Sequence, residues 1–383
     1  MKKILIVNNN MKIGGVQRAL INLLKEIKDK YDITLFLFDL SGEYYKYIPE
    51  NIKVIGATSI LKVLGISVEE SKKLGIKYYF AKIFFAFLTK LVGNEISISL
   101  ICKFEPKLKD FDVAISYMQS SPKRSFYGGT NEFVLNRVNA RKKISFVHCD
   151  YENYGGDLDY ASKMYKRFDK IAFCSKGCMN VFVKLLPQFT TKSTVVYNCM
   201  DIDEINKLSL ENTIIYKDKV NILSIGRMTY EKGMDRVIKI FTRYINEVTK
   251  NAHLYLIGDG ANKNELVALV NKLKMNKYIT FCGNQKNVYR FMKNASLLLL
   301  FSQHEAAPMV FGEAELLKLP ILSTNTTSVQ ELVLDKKIGL VGETDDELYK
   351  KMKLLLENKG KMKFTKSITN KRAIKQFDNL INK

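Results

Sequence analysis

Only three histidines and six cysteines occur among the 383 residues. The cysteines stand at positions 102, 149, 174, 178, 199 and 282, and no two of them form a C-x-x-C pair. A structural zinc site needs closely spaced thiol and imidazole ligands, so that class is set aside. The thiols read as free, in a reducing compartment. Long apolar runs are also missing. The greasiest stretch, YYFAKIFFAFL (78–88), is interrupted by Lys82, and a bilayer span needs about 20 apolar residues. The N-terminal MKKILIVNNN places four apolar residues before three asparagines, which suits a first β-strand rather than a signal sequence. There is no G-x-G-x-x-G turn and no P-loop ending in Lys-Ser/Thr, so dinucleotide and NTPase readings lose ground. Acidic side chains are scarce: 39 against 61 basic ones, for a net charge of +22.

That charge is unevenly spread. Residues 1–200 carry +13 (31 basic, 18 acidic), residues 201–350 carry +1 (20 and 19), and residues 351–383 carry +8 (10 and 2). A basic surface attracts nucleic acid, anionic lipid or anionic substrates. No nucleic-acid module accompanies it, which argues against nucleic acid as a partner. Hydrophobic content of 46% with 26% charged residues is that of a globular protein. A chain of this length favours two domains.

From residue 220 onward, apolar runs at 220–226, 253–260, 278–283, 297–303, 320–325 and 338–343 alternate with helical spacing at 233–249, 262–274, 309–319 and 345–357. Such alternation predicts βαβ units on a parallel sheet. The first half repeats it with KKILIVNN, YDITLFLFD, NIKVIGA, FDVAISYM, KKISFVHCD, KIAFCS and TVVYN. The expected fold class is therefore α/β, with two doubly wound Rossmann-like domains. The first covers 1–198 with a helical insertion over about 59–110, and the second covers 199–365.

Ligands of open parallel sheets bind beyond the carboxyl ends of the strands, which directs attention to five loops. In HEAAPMVFGEAE (304–315), Glu305 falls in a loop and Glu313 a turn inside the next helix, with Pro308 expected at the first helical position. Val310, Ala314 and Leu317 form its expected buried stripe. Free amides near Met309 and Val310 suit a phosphate, and flanking carboxylates suit hydroxyl-bearing sugars. In GRMTYEKG (226–233), Gly226 ends a strand, and Arg227 and Lys232 can clamp a diphosphate. Gly14-Gly15 lies where the first strand turns into a helix, and glycines there admit close backbone approach to a ligand. His148 ends its strand in FVHCD; His304 adjoins Glu305. Asp157-Leu-Asp159 and Asp201-Ile-Asp203 have the metal-type D-x-D spacing, but neither follows a strand suitably, so no metal is expected.

Taken together and in order, these loops resemble the retaining GT-B glycosyltransferases of the large group with the E-x7-E signature (glycosyl transferases group 1, family 4), bacterial surface-polysaccharide type. EAAPMVFGE (305–313) is similar to that signature, SIGRMTYEKGMDRVI to the group's G-R…K-G element, LYLIGDGANKNEL to its G-x-G loop, and VVYNCMD to its interdomain N-G-V-D element. The chain departs from the pattern at Ala306, at Cys199 and over NTTSVQEL (325–332), where the group carries glycines.

The resemblance implies two Rossmann-like domains facing across a cleft and a C-terminal helix (366–383) packing back on the first domain. It implies a nucleotide-sugar donor, a UDP-sugar, with no cofactor and no essential metal. Glu313 would hold the ribose hydroxyls, Arg227 and Lys232 the diphosphate, and the Met309 and Val310 amides would add helix-dipole stabilisation. Glu305 would contact the donor sugar hydroxyls, His148 would lie near the anomeric centre, Gly15 would line the phosphate and acceptor side, and Gly226 would belong to the donor-binding residues. The acceptor would be a saccharide or a lipid-diphosphate-linked saccharide in cell-surface or capsular polysaccharide synthesis. The reading places the chain in the cytoplasm, with its basic surface a candidate partner for the anionic inner face of the plasma membrane. Two rivals use the same features: a nucleotide-sugar epimerase of GT-B shape, and a non-enzymatic basic nucleic-acid binder.

Overall fold

The structure, a computed structural model, describes residues 1–358, 364 and 368–383. These residues divide into two compact units: Met1–Cys199 together with Asn370–Lys383, and Met200–Thr369.

The first unit is built on seven parallel strands: β1 (Lys3–Asn8), β2 (Asp32–Leu37), β3 (Lys53–Gly56), β4 (Leu108–Ser116), β5 (Val138–Val147), β6 (Lys170–Phe173) and β7 (Ser193–Val195). Their order in the sheet is β3-β2-β1-β4-β5-β6-β7. Ile4, Leu5, Ile6 and Val7 of β1 are all fully buried. Consecutive residues point to opposite faces of a strand, so both faces are covered and no polar alternation is needed.

The second unit has six parallel strands: β8 (Val220–Ile225), β9 (Ala252–Ile257), β10 (Ile279–Gly283), β11 (Leu297–Leu300), β12 (Ile321–Thr324) and β13 (Gly339–Gly342). They are ordered β10-β9-β8-β11-β12-β13. Each apolar run that the sequence offers as a strand forms one, and both units are doubly wound parallel α/β.

The helix Lys371–Asn382 buries Ala373, Phe377, Leu380 and Ile381 in the core of the first unit. Their i, i+4, i+7, i+8 spacing is one helical face. Phe377 meets the Tyr31 ring edge-on at 6.1 Å, and the Tyr31 hydroxyl donates to Asp378 at 2.8 Å. Burial of the Phe377 ring alone contributes about 2 kcal/mol. Residue 366, the expected start of this segment, lies outside the described residues.

The insertion consists of a 3-10 turn (Ile60–Leu64) and three helices, Val68–Leu74, Ile76–Val92 and Asn94–Cys102. Ser67 and Glu70 form a reciprocal cap at the first of these. Its two ends are tied by Glu105, a buried carboxylate that accepts from the amides and hydroxyls of Thr58 and Ser59. Four donors on one carboxylate offset the cost of burying its charge.

Candidate active site

In the second sheet the chain runs from β8 outward through β9 and β10, then returns to the other side of β8 with β11. The loops leaving β8 and β11 therefore part company at a topological switch point, where open α/β sheets take ligands. Lys232 follows β8 and Glu305 follows β11. The Lys232 Nζ lies 2.5 Å from Glu305 Oε1, which also accepts from the Ser302 hydroxyl at 2.8 Å. The pair is 18% and 12% exposed, so it is shielded enough from water to count electrostatically. The Gln303 amide donates to the Glu231 carbonyl at 2.8 Å and joins the two loops directly. Gly233 sits at φ 61°, and a Cβ there would come 2.2 Å from the Phe301 carbonyl oxygen. Only glycine lets the lysine loop lie this close to the end of β11. The β9 loop packs as tightly, with Gly258 at φ 134° against the Gly226 carbonyl.

Pro308 occupies the N-cap of the helix Met309–Leu316 rather than its first turn. Its φ of −60° still presets the chain for the helix. Met309 and Val310 therefore open the helix, and opening amides have no intrahelical partner. Ala314 and Leu317 reach the core as expected, Phe311 joins them, and Val310 packs against the same cluster only half-buried. The helix ends short of residue 319 because Lys318 adopts a φ of 57° ahead of Pro320. Glu313 is buried, and its Oε1 accepts from the Tyr289 hydroxyl at 3.1 Å. Glu315, buried two residues on, pairs with Lys336.

Arg227 stands apart from this arrangement. Its side chain is 76% exposed and lies 3.9 Å from Glu231, and a contact of that kind contributes little. Gly226 is half-buried, with its amide donating to the Ile257 carbonyl at 3.0 Å. His304 is exposed.

Sequence reasoning missed Ser302 and Tyr289, the side chains that steady the two glutamates. Tyr289 comes from a four-residue helix, Tyr289–Met292, too short to leave a periodic signal. It also missed Thr326 and Ser328, beyond the carboxyl end of β12, whose buried hydroxyls have no hydrogen-bond partner among the described residues. Serines and threonines within NTTSVQEL, where glycines were expected, were the available hint.

Gly15 and His148 belong to the first unit, whose switch point lies between β1 and β4. Gly15 opens the helix Gly15–Ile27, and a Cβ there would meet nothing within 4 Å. His148 follows β5, with its ring 4.8 Å from that of Tyr117 and 5.7 Å from that of Phe146. Its backbone amide donates to Gln119 Oε1 at 3.2 Å. The Nε2 atom is sealed from solvent with no hydrogen-bond partner among the described residues, and this desolvation pushes the imidazole pKa down to about 4. The ring is thus neutral near pH 7.

The unfolded chain binds a proton to this histidine at higher pH than the folded one does, so folding loses stability as pH falls from about 6.5 toward 4. Between pH 7 and pH 5 the loss should be about 2 kcal/mol greater in the native protein than in His148→Asn. Urea unfolding of both at the two pH values checks this.

The D-x-D aspartates have local employment. Asp157 caps the helix Leu158–Tyr165 and lies 2.8 Å from Lys123, and Asp201 caps the helix Ile202–Leu210. Among the described residues no group of three or more His, Cys, Asp or Glu side chains could hold a metal ion.

Residues 207–373 match the family described as glycosyl transferases group 1. This part of the chain is similar to a glycosyl transferases group 1 domain. Lys232, Glu305 and Glu313 all lie within it. Over 196 residues the chain is 31% identical to an uncharacterized glycosyltransferase of Methanocaldococcus jannaschii, covering 50% of this chain and 48% of that one. Over 220 residues it is 29% identical to the N-acetylgalactosamine-N,N'-diacetylbacillosaminyl-diphospho-undecaprenol 4-alpha-N-acetylgalactosaminyltransferase of Campylobacter jejuni, covering 57% and 58%. The chain thus spans about half the length of the curated relatives it matches. The crystal structure of Anabaena HepE in complex with UDP and glucose is similar over 99% of this chain and 98% of that one, with TM-score 0.68 and 16% identity. At that identity the likeness is one of fold, and the fold is GT-B.

Proposed function

We propose that the protein is a retaining, metal-independent glycosyltransferase. It moves a sugar from a UDP-sugar to a saccharide or lipid-linked saccharide acceptor in surface polysaccharide synthesis. The observation that carries this reading is the Lys232–Glu305 pair beside the start of the helix Met309–Leu316, with Glu313 buried behind Tyr289 in the same domain. The Campylobacter relative, named for transfer to a diphospho-undecaprenol saccharide, and HepE, crystallised with UDP and glucose, support the choice of donor and acceptor class.

Breaking the bond between the anomeric carbon and the diphosphate oxygen leaves the electron pair on the diphosphate and positive character on the sugar. The Lys232 ammonium, the Arg227 guanidinium and the opening amides at Met309 and Val310 stabilise the departing charge. Glu305 orients Lys232 and presents its remaining oxygen to the donor sugar hydroxyls. Glu313 exchanges its tyrosine contact for the ribose hydroxyls. The acceptor hydroxyl attacks on the face the diphosphate leaves, and its proton passes to the leaving oxygen.

The test is to incubate the protein with UDP-, GDP- and ADP-sugars, with and without EDTA, and to follow thermal shift and nucleotide release. A UDP-sugar should raise the melting temperature in EDTA, and UDP should accumulate when a saccharide acceptor is added. Conversion of the donor to an epimer without acceptor would assign an epimerase instead. Retardation of DNA at physiological salt, with indifference to sugar nucleotides, would assign the nucleic-acid reading.

A further inference from the structure

The helix Ile76–Val92 of the insertion is apolar on the side it should not be. Its inner face is held to the first unit through Phe85, Thr89 and Lys82, whose buried Nζ donates to the Val63 carbonyl at 2.8 Å. Phe85 stacks on Phe126 at 6.2 Å. Its outer face carries Ile76, Phe80, Phe84, Phe87 and Leu91, each 58% to 75% exposed, and Ile96 of the next helix continues the patch at 56%. The spacing i, i+4, i+8, i+11, i+15 places these side chains on one stripe. Scattered exposed hydrophobics need no explanation, but a contiguous aromatic stripe marks an interaction surface.

We propose that this stripe docks the protein onto an anionic lipid bilayer, lying in the interface with its phenylalanines among the acyl chains. Charge selects this occupant over others. From Ser71 to Asn94 there are five lysines and no acidic residue. Lys72, Lys73, Lys77 and Lys90 are exposed, while Lys82 is turned inward. A second copy of the chain would bring two such cationic rims together, whereas anionic headgroups neutralise the rim as the rings enter. At 17 residues with a buried lysine the helix cannot span, and no helix among the described residues is long and apolar enough to cross a membrane. It lies on the surface. Lysines spread around the helix, as the sequence shows them, suit this geometry, because long side chains reach headgroups from the flanks of an embedded face. These residues lie in the first unit, outside the proposed donor-binding residues of the second, and membrane docking does not depend on sugar transfer.

The test is flotation of the full chain with vesicles of phosphatidylcholine alone and of phosphatidylcholine with phosphatidylglycerol, at low and high salt. Circular dichroism and analytical ultracentrifugation accompany it. The native protein should float with the anionic vesicles, less so at high salt. The triple variant F80S/F84S/F87S should keep its fold and lose at least about tenfold in partitioning. The variant K73Q/K77Q/K90Q should lose the preference for anionic vesicles. Native protein that stays in solution with anionic vesicles overturns the proposal. So does unchanged flotation of the phenylalanine variant, or a dimer in the native protein that those same serines dissolve.

Discussion

Lys232→Ala is expected to lower kcat by a factor on the order of 100 to 1,000. In the proposed mechanism the ammonium stabilises charge that appears only as the sugar–phosphate bond breaks, so its loss falls on kcat more than on donor KM. The substitution has a second consequence that tests the geometry. Glu305 is 12% exposed and would lose its cation while keeping the hydrogen bond from the Ser302 hydroxyl. Stranding a shielded carboxylate in this way destabilises by about 1–3 kcal/mol. The double variant K232M/E305L removes both charges and should recover most of that stability without recovering activity. Turnover measured beside urea unfolding separates the two effects. A single variant that keeps native kcat would remove the lysine from the mechanism, and a double variant as unstable as the single one would mean that the pair is not the source of the stability loss.

Glu313→Ala is expected to raise donor KM by about a hundredfold, the value of two hydroxyl–carboxylate hydrogen bonds less the tyrosine contact given up. The fold should survive, because Tyr289 is itself only 5% exposed and remains packed in the core of the second unit. Tyr289→Phe leaves the carboxylate in place without the tyrosine hydroxyl contact, and should cost donor binding only about threefold to tenfold. Titration of UDP into the three proteins by calorimetry orders them: native, then Tyr289→Phe, then Glu313→Ala. If both variants bind UDP as the native protein does, the ribose does not rest on Glu313.

Much of this arrangement is legible before folding. Strands buried on both faces read as unbroken apolar runs, so LLLL at β11 and ILIV at β1 announce themselves. The rule that ligands gather beyond carboxyl strand ends then picks out the loops holding Lys232 and Glu305. What the sequence does not disclose is that these two side chains meet. They lie 73 positions apart, and the residue types alone assign the lysine to phosphate and the glutamate to sugar. Pairwise contact is a property of the sheet order, β8 beside β11, and no local pattern encodes it. The Ser302 and Tyr289 contacts are hidden for the same reason. Pro308 shows the other kind of miss, a one-residue shift, since a proline with φ near −60° fits the N-cap as well as the first turn. In the helix Ile76–Val92 both sides are apolar, so periodicity does not reveal which face the protein covers.

In the proposed mechanism the donor occupies the switch point of the second sheet. A crystal structure of the protein with UDP tests this most directly. It should show the pyrophosphate within hydrogen-bond reach of the Lys232 ammonium and the amides of Met309 and Val310, with the ribose hydroxyls on Glu313. UDP bound elsewhere in the chain, or bound with Glu313 still on Tyr289 and Lys232 still confined to Glu305, would contradict it.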